Sequence, residues 1–155
     1  MFRFAGNTPE MVRTALVRIP AMIEKSLAAL RDTTANVSNS EYYPDAKEAS
    51  VQLLFSNGSM LRADYWRIVK ANRAGVSSFD HRQKYGLPAP IDAVRQLDKE
   101  LQGKRVTDAL LDSRTGDLHF GFEGDVEFRV FNFTGYEVWE IHFPDGTGEY
   151  SPHAK

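Results

Sequence analysis

Read along the chain, the apolar patterns predict an α+β protein: an N-terminal kinked helix, a β-hairpin, a central helix and then an antiparallel β-meander, with the helices packed on one face of the sheet. Three observations carry this. A helical stripe runs from Val12 to Leu30, alternating segments flank turns at Ser56-Asn57-Gly58 and Glu123-Gly124-Asp125, and a second helical stripe follows Pro88-Ala89-Pro90. Successive strands are joined by short turns rather than crossover helices, so the sheet should be mostly antiparallel.

Thr8-Pro9-Glu10 has the chemistry of a helix start: a threonine cap, proline at the first helical position and an acid facing the positive end of the dipole. Val12, Leu16, Ile19, Ile23, Leu27 and Leu30 then recur every three or four residues as one stripe. Pro20 lacks an amide donor and clashes with the turn before it, which predicts a kinked helix over 9–31 or two helices meeting near 19–20. Residues 32–50, with the Tyr42-Tyr43-Pro44-Asp45 cluster, show neither period and read mainly as loop.

In the first hairpin Val51, Leu53 and Phe55 lead into the turn and Leu61, Ala63 and Tyr65 follow it; in the second, Leu118, Phe120 and Phe122 precede Val126, Phe128 and Val130. A two-residue loop would scatter these side chains over both faces. A three-residue loop pairs Phe55 with Ser59, Leu53 with Leu61, Phe122 with Val126, Phe120 with Phe128 and Leu118 with Val130. Its last position wants positive φ, which Gly58 adopts freely and Asp125 tolerates. Superposing the turns sets Phe55 on Phe122, Leu61 on Phe128, Arg62 on Arg129 and Ala63 on Val130, a weak internal match that equal loop lengths also produce by coincidence.

Between the hairpins, Ile91, Val94, Leu97 and Leu101 form one side of the central helix, and Gly103 stands where a left-handed cap belongs. A strand over 106–112, a turn over 113–116, and a later strand with Trp139, Ile141 and Phe143 facing inward complete the body, ending at Pro144-Asp145-Gly146. The expected organisation is a single domain over 1–155: helical segment 8–31, loop 32–50 and a ββ-α-ββββ body over 51–150.

Composition narrows the function classes. With 155 residues and 42% of them hydrophobic, the chain can build one ordinary core. Nineteen basic residues against 21 acidic leave a net charge of −2, so the basic footprint of nucleic-acid binding is missing. No apolar run approaches a membrane span, and Met1–Asn7 does not open a secretion signal, so no membrane partner is expected. The absence of cysteine excludes disulfides, thiolate metal sites and cysteine nucleophiles, and suits the cytoplasm.

Candidate chemistry is sparse. The polar stretch from Gly75 to Gly86 brings Asp80, His81 and Tyr85 close in sequence, the best enzyme-like group, with Trp66 as a wall of its pocket. Adjacent side chains usually point apart, however, and no serine or threonine here has an activation motif. The weight falls instead on a loop whose Asp or Ser caps a short helix and whose aromatic side chains pin it to the sheet. His119, Glu140 and His142 occupy the polar phases of their strands, yet no metal-ligand spacing exists, and no glycine-rich phosphate loop is present; neither metal nor cofactor is expected. The aromatic segment 132–140 reads as an interaction surface, with Trp139 in phase with the core and Tyr136 and Glu137 outside. Trp66 and Tyr65 have opposite phases, so one of them faces away from the inner layer, and Trp66 joins Tyr136 and Glu137 as a binding candidate.

Thr115-Gly116-Asp117-Leu118, the Asn132–Glu137 segment with Trp139, and Pro144-Asp145-Gly146 together resemble the closing strands of small bacterial domains of the immunity-protein type, over residues 104–150. The resemblance implies a compact cytoplasmic α+β protein that binds a partner protein and masks its site; it assigns no residue a role. The reading that follows is a protein-binding module without catalysis, whose binding surface includes the Tyr136-Glu137 turn and the polar 77–85 loop. The alternatives are a small enzyme or ligand-binding protein centred on Asp80, His81 and Tyr85, and a homodimer packed through the stripe of helix 9–31.

Overall fold

The computed structural model describes residues 23–40, 49–132 and 137–152. Its elements are helical residues 23–28 (α1), β1 (Ala35–Asn39), β2 (Val51–Phe55), β3 (Met60–Ala63), β4 (Trp66–Lys70), β5 (Arg73–Ser77), a 3₁₀ turn (Ser78–Asp80), α2 (Ala93–Leu101), β6 (Val106–Asp112), β7 (Asp117–Phe122), β8 (Val126–Val130), β9 (Trp139–His142) and β10 (Gly148–Tyr150). They form two five-stranded sheets, ordered β1-β2-β3-β9-β10 and β5-β4-β8-β7-β6, and every strand pairing is antiparallel.

The two hairpins form in the expected register. Leu53 faces Leu61, the Phe55 amide donates to the Ser59 carbonyl at 2.8 Å, and Gly58 takes φ +91°. Phe122 pairs with Val126, Phe120 with Phe128 and Leu118 with Val130, with Asp125 at φ +58°. The hairpins lie in different sheets, and their inward rows meet: Phe55 stacks on Phe120 with centroids 5.9 Å apart, and Phe128 lies 6.1 Å from Phe120 and 5.8 Å from Trp66. Two sheets thus close over one core. Both buried indoles satisfy their N–H, Trp66 on the Ala49 carbonyl and Trp139 on that of Gly116, each at 2.8 Å.

This architecture corrects the α+β expectation, in which helices pack on one face of a sheet. Helix α2 lies against β1 and β5, the edge strands of the two sheets, and its buried Ala93, Val94, Leu97 and Leu101 join the shared core. Asp92 caps it by accepting the Arg95 amide at 3.0 Å, and Gly103 beyond its end has φ +73°. Ile23, Leu27 and Leu30 contribute to the same core. Among the described residues no helix is long and apolar enough to cross a membrane. The kink at Pro20 falls outside the described residues, as does 41–48 of the expected loop.

The correction arises mainly from β4 and β5. Leu61 and Ala63 face the core from the first sheet, whereas Trp66 and Ile68 face it from the second, so the inward phase slips by one residue at Asp64-Tyr65, where the chain changes sheets. Reading Leu61, Ala63 and Tyr65 as one alternating strand runs across this corner and misses the slip. The β4–β5 turn is built from Ala71 and Asn72, at φ +49° and +61°, instead of the Asn-Gly pair that announces such turns. β1 is an edge strand with few apolar residues, and the expected loop at 32–50 therefore concealed it. Main-chain bonds from Asp32 to the Val106 carbonyl and from Val106 to the Thr33 carbonyl, 2.8 and 2.7 Å, tie its approach to the start of β6.

Candidate functional site

The loop from Ser78 to Asp92 leaves the edge of the second sheet and returns as α2. Its entrance is held by Asp80, whose Oδ2 accepts the Ser77 amide at 2.8 Å and the Ser77 hydroxyl at 3.2 Å. Oδ1 of Asp80 accepts the Tyr85 hydroxyl at 3.2 Å. Loss of hydration and the neighbouring Asp80 carboxylate raise the Tyr85 pKa above its ordinary value. The Arg82 amide donates to the Ile91 carbonyl at 2.8 Å and the Ile91 amide to that of Gln83 at 2.9 Å, pinning the two limbs of the loop together. Within this frame Arg82, Tyr85 and Gly86 take φ of +65°, +44° and +76°. A left-handed tyrosine is a sterically costly conformation, on the order of 1–3 kcal/mol, which persists only where surrounding bonds impose it.

Asp80 and Tyr85 therefore come together as the sequence suggested, but His81 does not join them. Its Nδ1 accepts the Ala93 amide at 3.1 Å and lies 4.0 Å from Asp92 Oδ1, so the imidazole completes the N-terminus of α2. The Nδ1 that an orienting carboxylate would need to face as N–H is itself an acceptor. No Asp–His dyad forms. Trp66, expected as a binding residue and pocket wall, is fully buried in the core, because the sheet change gives it rather than Tyr65 the inward phase. Tyr136 lies outside the described residues; Glu137 is exposed. His119 belongs to the second sheet and Glu140 and His142 to the first, and among the described residues no group of three or more potential ligands gathers around a point.

What the loop does present is apolar surface. Phe79, Tyr85 and Leu87 are 58%, 67% and 47% exposed. Phe79 stacks on Tyr65 at a centroid distance of 5.7 Å and 17° between planes, and Ser78 Oγ accepts the Trp66 amide at 3.1 Å, so the display is anchored on β4. Phe79 belongs to the 77–85 loop expected in the binding surface, although the sequence did not single it out, and Leu87 lies beyond that loop. Their signal in the sequence is large apolar residues inside a polar stretch with no periodic partner.

A second polar group, also not singled out beforehand, crosses the first sheet. Ser50 Oγ donates to Asp64 Oδ1 at 2.6 Å, Arg62 Nη1 donates to the same oxygen at 2.7 Å, and Arg62 Nε reaches Glu140 Oε1 at 3.4 Å. The Arg62 and Asp64 side chains are only 5% and 0% exposed. Burial alone would lower the Arg62 pKa; the hydrogen bond and charge of Asp64, followed by Glu140, outweigh it and raise the pKa above the ordinary arginine value. Ser50 gives its hydrogen bond directly to a carboxylate with no imidazole between, so the group locks strands together rather than activating a nucleophile. No protein-family model, curated protein or solved structure matches this chain.

Proposed function

We propose that this chain is a protein-binding module that engages its partner through the loop between β5 and α2. The observation that carries the reading is the exposure of Phe79, Tyr85 and Leu87 on a loop whose own hydrogen bonds pin its limbs together and in which Arg82, Tyr85 and Gly86 are held at positive φ. A loop needed only to connect an edge strand to a helix has no reason to bear that strain or to leave three large apolar side chains in water. Aromatic side chains preset on a rigid support lose little entropy on binding, which is how interfaces concentrate affinity in a few residues. Glu137 belongs to the same end of the molecule, since the neighbouring Val138 carbonyl accepts the Asp64 amide next to Tyr65.

The masking of a site on another protein, implied by the immunity-type resemblance, is part of this proposal, as is the cytoplasmic setting that suits a chain without cysteine. The enzyme reading has no support in the geometry, because His81 caps a helix. The test is a comparative pull-down from the expressing cells with wild-type protein and a Phe79→Ser, Tyr85→Ala double variant of equal thermal stability. A stoichiometric protein captured by the wild type and lost with the variant is the expected result. Equal capture by both would remove the loop from the binding surface.

A further inference from the structure

The net charge of −2 conceals an uneven distribution. Residues 65–105, which contain β4, β5, the exposed loop and α2, hold nine of the 19 basic residues but only four of the 21 acidic ones, leaving ten basic and 17 acidic residues elsewhere. This stretch is thus +5 and the rest of the chain −7. Three of its four acids are committed to the fold. Asp80 holds Ser77 and Tyr85, Asp92 caps α2, and Glu100 lies 3.3 Å from Lys70 Nζ and 3.7 Å from Lys104 Nζ. The fourth, Asp98, is half-buried on α2.

Arg73, Lys84, Arg95 and Lys99, in contrast, are exposed, and among the described residues no carboxylate lies within ion-pair distance of their side chains. Arg95 and Lys99 are one turn apart on the face of α2 opposite the buried Val94, Leu97 and Leu101. The loop brings Lys84 to the start of that stripe. The Gln83 carbonyl beside it accepts the Ile91 amide at 2.9 Å, and His81 Nδ1 accepts the amide of Ala93, the first residue of α2, at 3.1 Å. The Lys84 carbonyl in turn accepts the Leu87 amide at 2.7 Å and closes the turn that displays Tyr85. Unpaired cations and exposed apolar side chains therefore share one end of the molecule.

We infer that the partner meets this end with an acidic protein surface, its carboxylates received by Lys84 and Arg95 while its apolar side chains cover Phe79, Tyr85 and Leu87; the inference rests on the binding loop proposed above and names the chemistry of its partner. The occupant is a protein because Leu87-Pro88-Ala89-Pro90, exposed throughout, is aliphatic. Such a stretch contacts side chains well but offers a nucleic-acid strand neither a stacking plane nor a cation. The charge separation also acts before contact. The +5 stretch attracts an acidic partner and the −7 remainder repels it, so encounter is oriented with the loop foremost and is weakened by salt.

The test uses two blocked peptides, Ac-Glu-Leu-Glu-Phe-Glu-Leu-Glu-NH2 and its counterpart with Gln for Glu, titrated into the full-length protein at low salt and followed by amide chemical shifts. The wild type should bind the acidic peptide about three- to ten-fold more tightly than the neutral one, with shifts centred on residues 79–87 and 93–99, and salt at about 0.5 M should erase the difference. A Lys84→Gln, Arg95→Gln variant should lose the preference. A Lys25→Gln, Arg114→Gln variant, which removes the same charge from exposed residues elsewhere, should keep it. Failure of the acidic peptide to bind, equal binding of the two peptides by the wild type, or a preference that responds alike in the two variants overturns the inference. Tighter binding of single-stranded oligothymidylate than of the acidic peptide overturns it in favour of a nucleic acid. The Phe79→Ser, Tyr85→Ala variant separates the two readings, and should weaken both peptides while keeping their ratio. Equal wild-type binding of the two peptides, weakened in this variant, keeps the loop and removes the acidic partner. A charge preference and affinities that this variant leaves unchanged keep the acidic partner and remove the loop.

Discussion

Arg62 and Arg67 lie on consecutive strands, and both point away from the core, yet Arg62 bonds two carboxylates whereas the Arg67 Nε has no hydrogen-bond partner. Arg62 stands opposite Glu140 in its sheet and bonds Asp64 two residues on; Arg67 stands between Ser77 and Arg129. The difference lies in the acids within reach: Arg62 has Asp64 two residues on and Glu140 opposite, whereas Arg67 has Tyr65 and Val69 two residues to either side and Ser77 and Arg129 opposite. Arg129, which the internal match sets over Arg62, follows the Arg62 pattern by pairing with Glu127 two residues before it.

The largest effect should come from breaking the partnered side. Asp64→Ala removes the shorter of the two carboxylate contacts from a buried guanidinium, and should cost about 3–5 kcal/mol by urea denaturation. A loss below about 1 kcal/mol would mean that the pair does not lock the sheet. A smaller loss, about 1 kcal/mol, is expected for His81→Ala, which removes an acceptor from the start of α2 while Asp92 still caps it. An unchanged stability would show that His81 does not belong with Arg62 among the structural residues. Arg67→Met should shift stability by less than about 1 kcal/mol and in the stabilising direction, opposite in sign to Asp64→Ala.

The smallest effect belongs to a fully exposed pair. Arg105 donates to Glu123 Oε1 from its main chain at 2.7 Å and from Nε at 3.0 Å, and these bonds hold the Glu123 carboxyl below its ordinary range. A carboxyl depressed in the folded state contributes stability above its unfolded pKa and loses it as pH falls through the folded value. The melting-temperature difference between wild type and Glu123→Gln should therefore be present near neutral pH and fade as pH drops below the ordinary glutamate range and through the lowered folded value. A constant difference across that range would show that the variant acts through something other than this charge.

Local signals went far with single elements. The alternation around Gly58 and Asp125 set both hairpin registers, and the stripe of Val94, Leu97 and Leu101 located the central helix. These features depend on residues only a few positions apart, which a sequence displays directly. The weaker strands escaped for local reasons as well: β5 is Arg-Ala-Gly-Val-Ser, with little to mark an inward face, and Gly148–Tyr150 is exposed throughout.

The candidate site was legible only as a polar loop with Asp80 and Tyr85 in it. That His81 faces a helix twelve residues further on was not, because its hydrogen bond depends on where α2 docks. By itself, then, the sequence determined the turns at Gly58 and Asp125 with the pairings of their two hairpins, the central helix and the absence of cysteine chemistry. Tertiary structure alone decided that there are two sheets instead of one, that Trp66 is inside and Tyr65 outside, and that Arg67 meets another arginine. A strand's period records which side chains share a face, but which strand lies beside it is settled by burying both apolar faces at once, and the charges on the outer faces acquire their partners from that choice.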